Sequence, residues 1–451
     1  MFTLNVNGRY DGSNKFGSRS NENLLPIWSV SGNANLMNIF RINADWLDHL
    51  ALKSSYGEQG NMLANQTPEL IIKKGNMNGY YDEMISTPAY FANPDLKWEK
   101  TRSFNVGLES SFFNGRLQVE TEYYYKKTTD AFLDKVISDV NGFNSYVVNS
   151  GTITNQGFNV SVSATPIKFK KFYWILSGNL SKIYNKIKTA PGAETYELSN
   201  FLNGSAVVQG YPVGTFFSYR FAGLSAVDGG PLFEDWEERQ SELREAKNYE
   251  AYTKVLAASG RREPDITGSI NNTFTYKQLR LSTSLIYNLG AKTRLFRLFD
   301  SMLNGFRSED NVNRDMLNRW QKPGDEKITN IPAVMGQWTD GYYYYTSHWS
   351  DGYPYTGAPI GENAWNMYDY STARVVSASY LKLSNVSLTY EFTQEQLKKL
   401  GLGRLALTLS AYNIYTWCNS ALRGQTPSQG RFTEVQLGDT PSYTFSVNVN
   451  F

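Results

Sequence analysis

Apolar and polar side chains alternate by twos along much of this chain. At its end Tyr443, Phe445, Val447, Val449 and Phe451 alternate with Thr444, Ser446, Asn448 and Asn450. A period of two puts the first set on one strand face and the second on the other. The chain opens the same way, with Phe2, Leu4 and Val6 against Thr3, Asn5 and Asn7. Phe104, Val106 and Leu108 repeat the rhythm, as do Leu117, Val119 and Tyr123, then Phe158, Val160 and Val162. Leu279, Leu281 and Leu285, and later Leu405, Leu407 and Leu409, complete it. Between Leu383 and Val386 the phase slips by one residue, which a β-bulge would explain.

The alternation predicts about twelve strands, over 2–10, 27–37, 49–57, 101–112, 117–127, 155–165, 172–184, 265–277, 279–289, 379–391, 404–415 and 443–451. Gaps between them alternate short and long. Phe113–Arg116, Pro166–Lys171 and Lys277–Gln278 are short, whereas 11–26, 58–100, 128–154, 185–264, 290–378 and 416–442 are long. Short periplasmic turns facing long extracellular loops are the signature of outer-membrane barrels. The expected fold is therefore all-β: a transmembrane antiparallel β-barrel, with charged and amide side chains lining a wet lumen. Tyr276, Tyr287 and Tyr390 fall near strand ends, where an interfacial aromatic girdle needs them. The alternation treats 185–264 as one excursion, although Gly214–Arg220 also reads as a strand and offers a further barrel strand. Polar helices are expected over Glu234–Ala258, anchored by Trp236, Leu243, Ala246 and Leu256, and more briefly over Val312–Trp320 and Gln394–Leu400.

Composition agrees with a two-faced sheet. Aromatics make up 15% of the 451 residues, yet mean hydropathy is −0.45, so apolar and polar residues must be sorted finely. No apolar run reaches the ~18 residues of a membrane helix, and barrel strands never present one. Net charge is only +2, which gives no nucleic-acid-sized footprint. The single cysteine, Cys418, cannot form an internal disulfide. His49 and His348, the only histidines, have no ligand-like or triad-like neighbours, so no metal, cofactor or catalytic residue is expected and the chain is read as a non-enzyme. The N-terminus lacks signal-peptide character, and an export signal is expected upstream of Met1.

The densest aromatic stretch runs from Trp338 to Tyr370. It includes Tyr342, Trp349, Tyr353, Tyr355, Trp365 and Tyr368, interrupted by Gly, Pro and Asp. Flat rings beside Asp340, Asp351 and Asn363 suit sugar rings or peptide side chains. They equally suit the core of a structured loop, or the dock for a partner protein. Tyr443, Phe445, Val447, Val449 and Phe451 form the terminal strand that barrel assembly machinery would read.

Several phrases carry a family resemblance. They are Arg9-Tyr10-Asp11-Gly12-Ser13 with Phe16-Gly17, Ser55-Tyr56-Gly57-Glu58-Gln59-Gly60-Asn61, Asn93-Pro94-Asp95-Leu96-Lys97-Trp98-Glu99, Asn155-Gln156-Gly157-Phe158, Arg319-Trp320-Gln321-Lys322-Pro323-Gly324-Asp325 and Ser379-Tyr380-Leu381-Lys382-Leu383. In this order the chain resembles a SusC/RagA-type TonB-linked outer-membrane transporter. The resemblance implies a barrel of about twenty-two strands filled by a plug, of which residues 1–451 would be the C-terminal part. Signal peptide, plug, TonB-contacting segment and early strands would then lie outside this chain. It implies import of oligosaccharides or peptides, a SusD-like surface lipoprotein as lid, energy delivered through TonB, and a source among the Bacteroidota. The competing readings are a self-contained porin-like passive channel and a secreted β-rich carbohydrate-binding protein. Half a barrel would expose unpaired strand edges that lipid cannot satisfy, so this chain alone is not expected to insert as a stable pore.

Overall fold

The computed structural model describes residues 2–13, 24–63, 69–90, 92–136, 140, 145–190, 196–234, 240–299, 311–336, 338–348, 360–361, 363–398, 401–422, 424–428 and 438–450. Twelve strands form one antiparallel sheet, each paired with the next in sequence. They are β1 (Phe2–Gly12), β2 (Leu24–Asn35), β3 (Leu47–Asn61), β4 (Glu99–Phe112), β5 (Leu117–Val136) and β6 (Ser145–Phe169). The second half comprises β7 (Phe172–Thr189), β8 (Ile266–Tyr276), β9 (Leu279–Leu289), β10 (Tyr380–Glu391), β11 (Arg404–Cys418) and β12 (Ser442–Asn450). All twelve predicted strands are present, and Gly214–Arg220 adds none to the sheet. Its Phe216–Ser218 pairs instead with Ala257–Gly260 in a separate two-stranded ladder. No helix among the described residues is long and apolar enough to cross a membrane.

Register carries each face across the sheet. On one side Asn5 stands opposite Ser31, Ser31 opposite Ser55, and Ser55 opposite Asn105. On the other side of the wall Trp174, Phe274, Leu281, Leu388, Leu409 and Phe445 are successive partners from β7 to β12. Among the described residues this second face packs against no protein layer: Phe445 is 66% exposed and Val447 51%. A polar side chain on it, Asn272, accepts a hydrogen bond from Trp174 Nε1 at 3.1 Å, as hydrocarbon requires. Ser384 is the extra residue at the predicted slip, because Leu383 faces Leu285 while Asn385 faces Ser284. The bulge returns the apolar set to the outer face.

Turns and excursions also separate by side. Phe113, Asn114 and Gly115 take φ of 56°, 57° and 74°, and Lys277 takes 54°, the left-handed geometry that tight turns impose. On the opposite side β5 and β6 run further than their alternation reveals, rising together to Val136 and Ser145. A bulge at Asp130, with φ of 54°, breaks the period there, which is why 128–154 reads as a loop. The predicted gap 58–100 contains a hairpin, Ile71–Asn78 with Glu83–Tyr90. Its last segment folds back on β5 and β6. Asn149 Nδ2 donates to the carbonyls of Lys97 and Asp130, both at 2.9 Å, while its Oδ1 accepts from Lys97 N–H at 3.1 Å.

Helix lengths fall short of expectation. The single helix predicted over Glu234–Ala258 is two short ones, Gln240–Leu243 and Asn248–Val255. Burying Leu243, Ala246 and Leu256 together needs a turn between them; Trp236 lies outside the described residues. The Val312–Trp320 helix is a 3₁₀ turn over Arg314–Asn318. The third expected helix spans Gln394–Lys398, and 399–400 lie outside the described residues.

Candidate functional site

Among the described residues, most of the buried apolar side chains lie beyond the sheet, in its long excursions. Phe201, Phe217, Leu243, Tyr252 and Leu256 come from the excursion after β7. Phe299, Tyr345, Trp365, Met367 and Tyr368 come from the one after β9, and both sets form one core. Backbone links join them: Tyr219 N–H donates to Tyr370 O, and Thr372 N–H returns a bond to Tyr219 O at 2.9 Å. The third excursion, after β11, contributes Gln425, whose side chain donates to Arg294 O at 2.8 Å.

Arg294 stands where all three meet. Its guanidinium is buried, donating to the carbonyls of Leu202 and Phe217 and to Ser218 Oγ. The rings of Phe216 and Tyr370 flank it, 4.8 and 5.1 Å from their centroids. Burial pushes its pKa down to about 9, so it remains charged at neutral pH, and the carbonyls and ring faces replace the water that it loses. Asp369 is the second buried ion. It accepts from the backbone N–H groups of Leu298 and Phe299 at 2.9 and 2.8 Å, and Arg374 Nε lies 4.0 Å away. Burial pushes its carboxyl up to about 6, against the pull of those amides and of Arg374. Neither residue stands out in the sequence. Each is one charge in a polar excursion, and only the pairing of distant loops makes it central.

The structure divides the aromatic candidates. Trp365 and Tyr368 are each 1% exposed, inside the shared core. Trp365 Nε1 donates to Ala333 O at 2.9 Å, and burial pushes the Tyr368 phenol up to about 12. Tyr342 stacks on Trp365 with centroids 5.5 Å apart. Trp338, by contrast, is 97% exposed, and Tyr343 and Tyr344 on the following helix, Asp340–Ser347, are exposed beside it. Trp349, Tyr353 and Tyr355 lie outside the described residues. In the terminal strand Tyr443, Phe445, Val447 and Val449 share the apolar outer face; Phe451 lies outside the described residues.

The inner wall is a hydrogen-bonded polar surface. Ser181 Oγ donates to Asn159 Oδ1 at 2.8 Å, and Asn159 Nδ2 to Glu122 Oε2 at 3.1 Å. Lys53 pairs with Glu109. A cleft of about 630 Å³ on this face includes His49, Glu109, Gln118, Asn179 and Asn271 in its lining. Among the described residues, no group of three or more His, Cys, Asp or Glu side chains converges as a metal site would. Water-filled barrels carry such a surface, amides and hydroxyls within and hydrocarbon-compatible side chains without.

A sheet of this kind, with turns on one rim and folded excursions on the other, defines an outer-membrane β-barrel wall. Residues 1–272 match the family described as TonB dependent receptor-like, beta-barrel, and the chain belongs to that family; it is a protein of the outer membrane. It is similar to TonB-dependent receptor P26 of Formosa agariphila, at 26% identity over 93% of this chain and 40% of the relative. Similarity to TonB-dependent receptor SusC of Bacteroides thetaiotaomicron reaches 29% identity, over 43% of this chain and 20% of that protein. In fold it resembles the RagAB peptide transporter, with a TM-score of 0.77 and 23% identity over all of this chain and 46% of that one. These likenesses agree with the SusC/RagA type read from the sequence phrases. The chain spans less than half the length of these relatives.

Proposed function

We propose that residues 1–451 form the C-terminal part of the barrel of a TonB-dependent importer for oligosaccharides or peptides. Plug and TonB-contacting segment would belong to parts of the protein outside this chain. The observation that carries this reading is the two-faced wall joined to a compact outer cap. A lumen face lined by Ser, Asn, Gln and Glu suits water, and the cap carries the exposed rings of Trp338, Tyr343 and Tyr344 at its surface. Among the described residues, those rings are the part of the aromatic stretch available to a solute or to a SusD-like lipoprotein closing as a lid. The rings within the core would set their position instead. The outer face of β12, with Tyr443, Phe445, Val447 and Val449, would be read by the barrel assembly machinery, and outer-membrane lipid would then cover it.

The test is uptake and binding by the complete receptor. Trp338→Ala with Tyr343→Ala should weaken binding of solute or lipoprotein about thirtyfold, in keeping with ~1 kcal/mol per ring, and leave the barrel intact. Trp365→Ala should act differently, loosening the cap as a large core truncation does. Unchanged affinity in the first variant, for both solute and lipoprotein, would remove these rings from the interface.

A further inference from the structure

Three consecutive turns at the short rim are laced into one surface. Thr165 N–H donates to Arg116 O at 2.7 Å, Arg116 Nη2 reaches Pro166 O at 3.3 Å, and Lys277 N–H donates to Lys171 O at 3.0 Å. This surface presents Arg116, Lys170, Lys171 and Lys277, all exposed, and the turn segments 113–116, 166–171 and 276–281 contain no carboxylate. Two of the flanking acids are already engaged. Asp48 accepts from Gly115 N–H at 2.9 Å, and Glu391 pairs with Arg404 at 2.8 Å. Among the described residues the three lysines make no ion pair. Lys170 and Lys277 instead sit over rings at the strand ends, 5.3 Å from the Phe169 centroid and 5.4 Å from that of Tyr276. Both rings are exposed on the sheet edge, at the level where aromatic side chains mark a membrane–water boundary.

We infer that this turn cluster binds the headgroups of phospholipids with net negative charge in the inner leaflet of the outer membrane. Apolar side chains above, rings at the boundary and unpaired ammonium groups below match, in order, the acyl chain, glycerol and phosphate of a lipid. Cations near an anionic surface attract it with a range of about a Debye length, and a tight turn holds them without the entropy cost of ordering a loop. The inference rests on the orientation with the long excursions outward.

Native mass spectrometry of the complete barrel, released from detergent after incubation with phosphatidylglycerol or phosphatidylcholine, tests it. The unmodified protein should retain phosphatidylglycerol in preference. Lys170→Gln/Lys171→Gln/Lys277→Gln should reduce that preference by about fivefold per cation, whereas Lys73→Gln/Lys74→Gln, on the long-excursion side, should leave it. No preference in the unmodified protein, or equal loss in both variants, would overturn the proposal. Displacement of the lipid by inorganic phosphate at matched ionic strength would also overturn it, in favour of a free-anion site. Preference lost only in Lys73→Gln/Lys74→Gln would mean that the orientation is reversed. Should the triple variant fail to give a heat-modifiable band, Lys170→Gln/Lys277→Gln reads the same ratio. Solute uptake measured in parallel separates this result from the importer reading, since uptake can persist without the lipid preference.

Discussion

Asp369 is a carboxylate held against its own solvation. Two amides and Arg374 favour its charged form, but burial outweighs them and holds the group near 6. An unfolded aspartate titrates near 3.9. Between those values the folded cap binds more protons than the unfolded chain, so cap stability rises as pH falls from about 7 to about 4. The gain is on the order of 2–3 kcal/mol, opposite in sign to the usual acid weakening of a paired carboxylate. Hydrogen-exchange protection of the Leu298 and Phe299 amides, corrected for intrinsic rate, should therefore be greater at pH 5 than at pH 7. Asp369→Asn should flatten that dependence. A flat profile in the unmodified protein would contradict the burial account.

Among the elements, the tall part of β5 and β6 is joined to the segment before β4 by several contacts, of which Asn149 makes the most. Asn149 satisfies three backbone groups of Lys97 and Asp130, and thereby ties the Asn93–Glu99 segment, with buried Leu96 and Trp98, to the tall hairpin. Asn149→Ala should loosen this segment at a cost of about 1–3 kcal/mol, with the Asn93–Val147 and Glu99–Phe132 bonds still holding it. Faster exchange at Lys97 and early proteolytic cleavage near Pro94 should report it, with β5–β6 pairing unchanged below Thr128. Strand positions and the face of each side chain were legible in the sequence, because a single wet face and a single apolar face force a strict period of two. Even the slip before Val386 resolves to one bulged residue, Ser384. The top of this hairpin was not legible, because Asp130 interrupts the period and Asn149 acts across a separation of 52 residues. The aromatic stretch shows the same limit. Ring type says nothing about which of Trp338 and Trp365 is covered, since the residues that cover Trp365, among them Ala333, Tyr342 and Tyr345, lie 20 or more positions away.

For the molecule as a whole, β1 and β12 each have one neighbour in the sheet. Their free edges carry N–H and C=O groups that hydrocarbon cannot satisfy, and β12 is exposed along its length. Refolded alone in detergent, residues 1–451 should give no heat-modifiable band and should aggregate. Co-refolding with the remainder of the receptor should restore the band. A compact, heat-modifiable species from the isolated chain would show that the two edges can close on each other, and would favour the passive-channel reading.

Arg294 also constrains how such a receptor can change its preferences. Because Leu202, Phe217 and Gln425 all meet at that one residue, the three excursions are not interchangeable modules. Transplanting a single excursion onto another barrel would leave a guanidinium without its carbonyls and a core without its opposite wall. New specificity would have to arrive either as matched replacement of all three excursions or as change confined to the outermost rings.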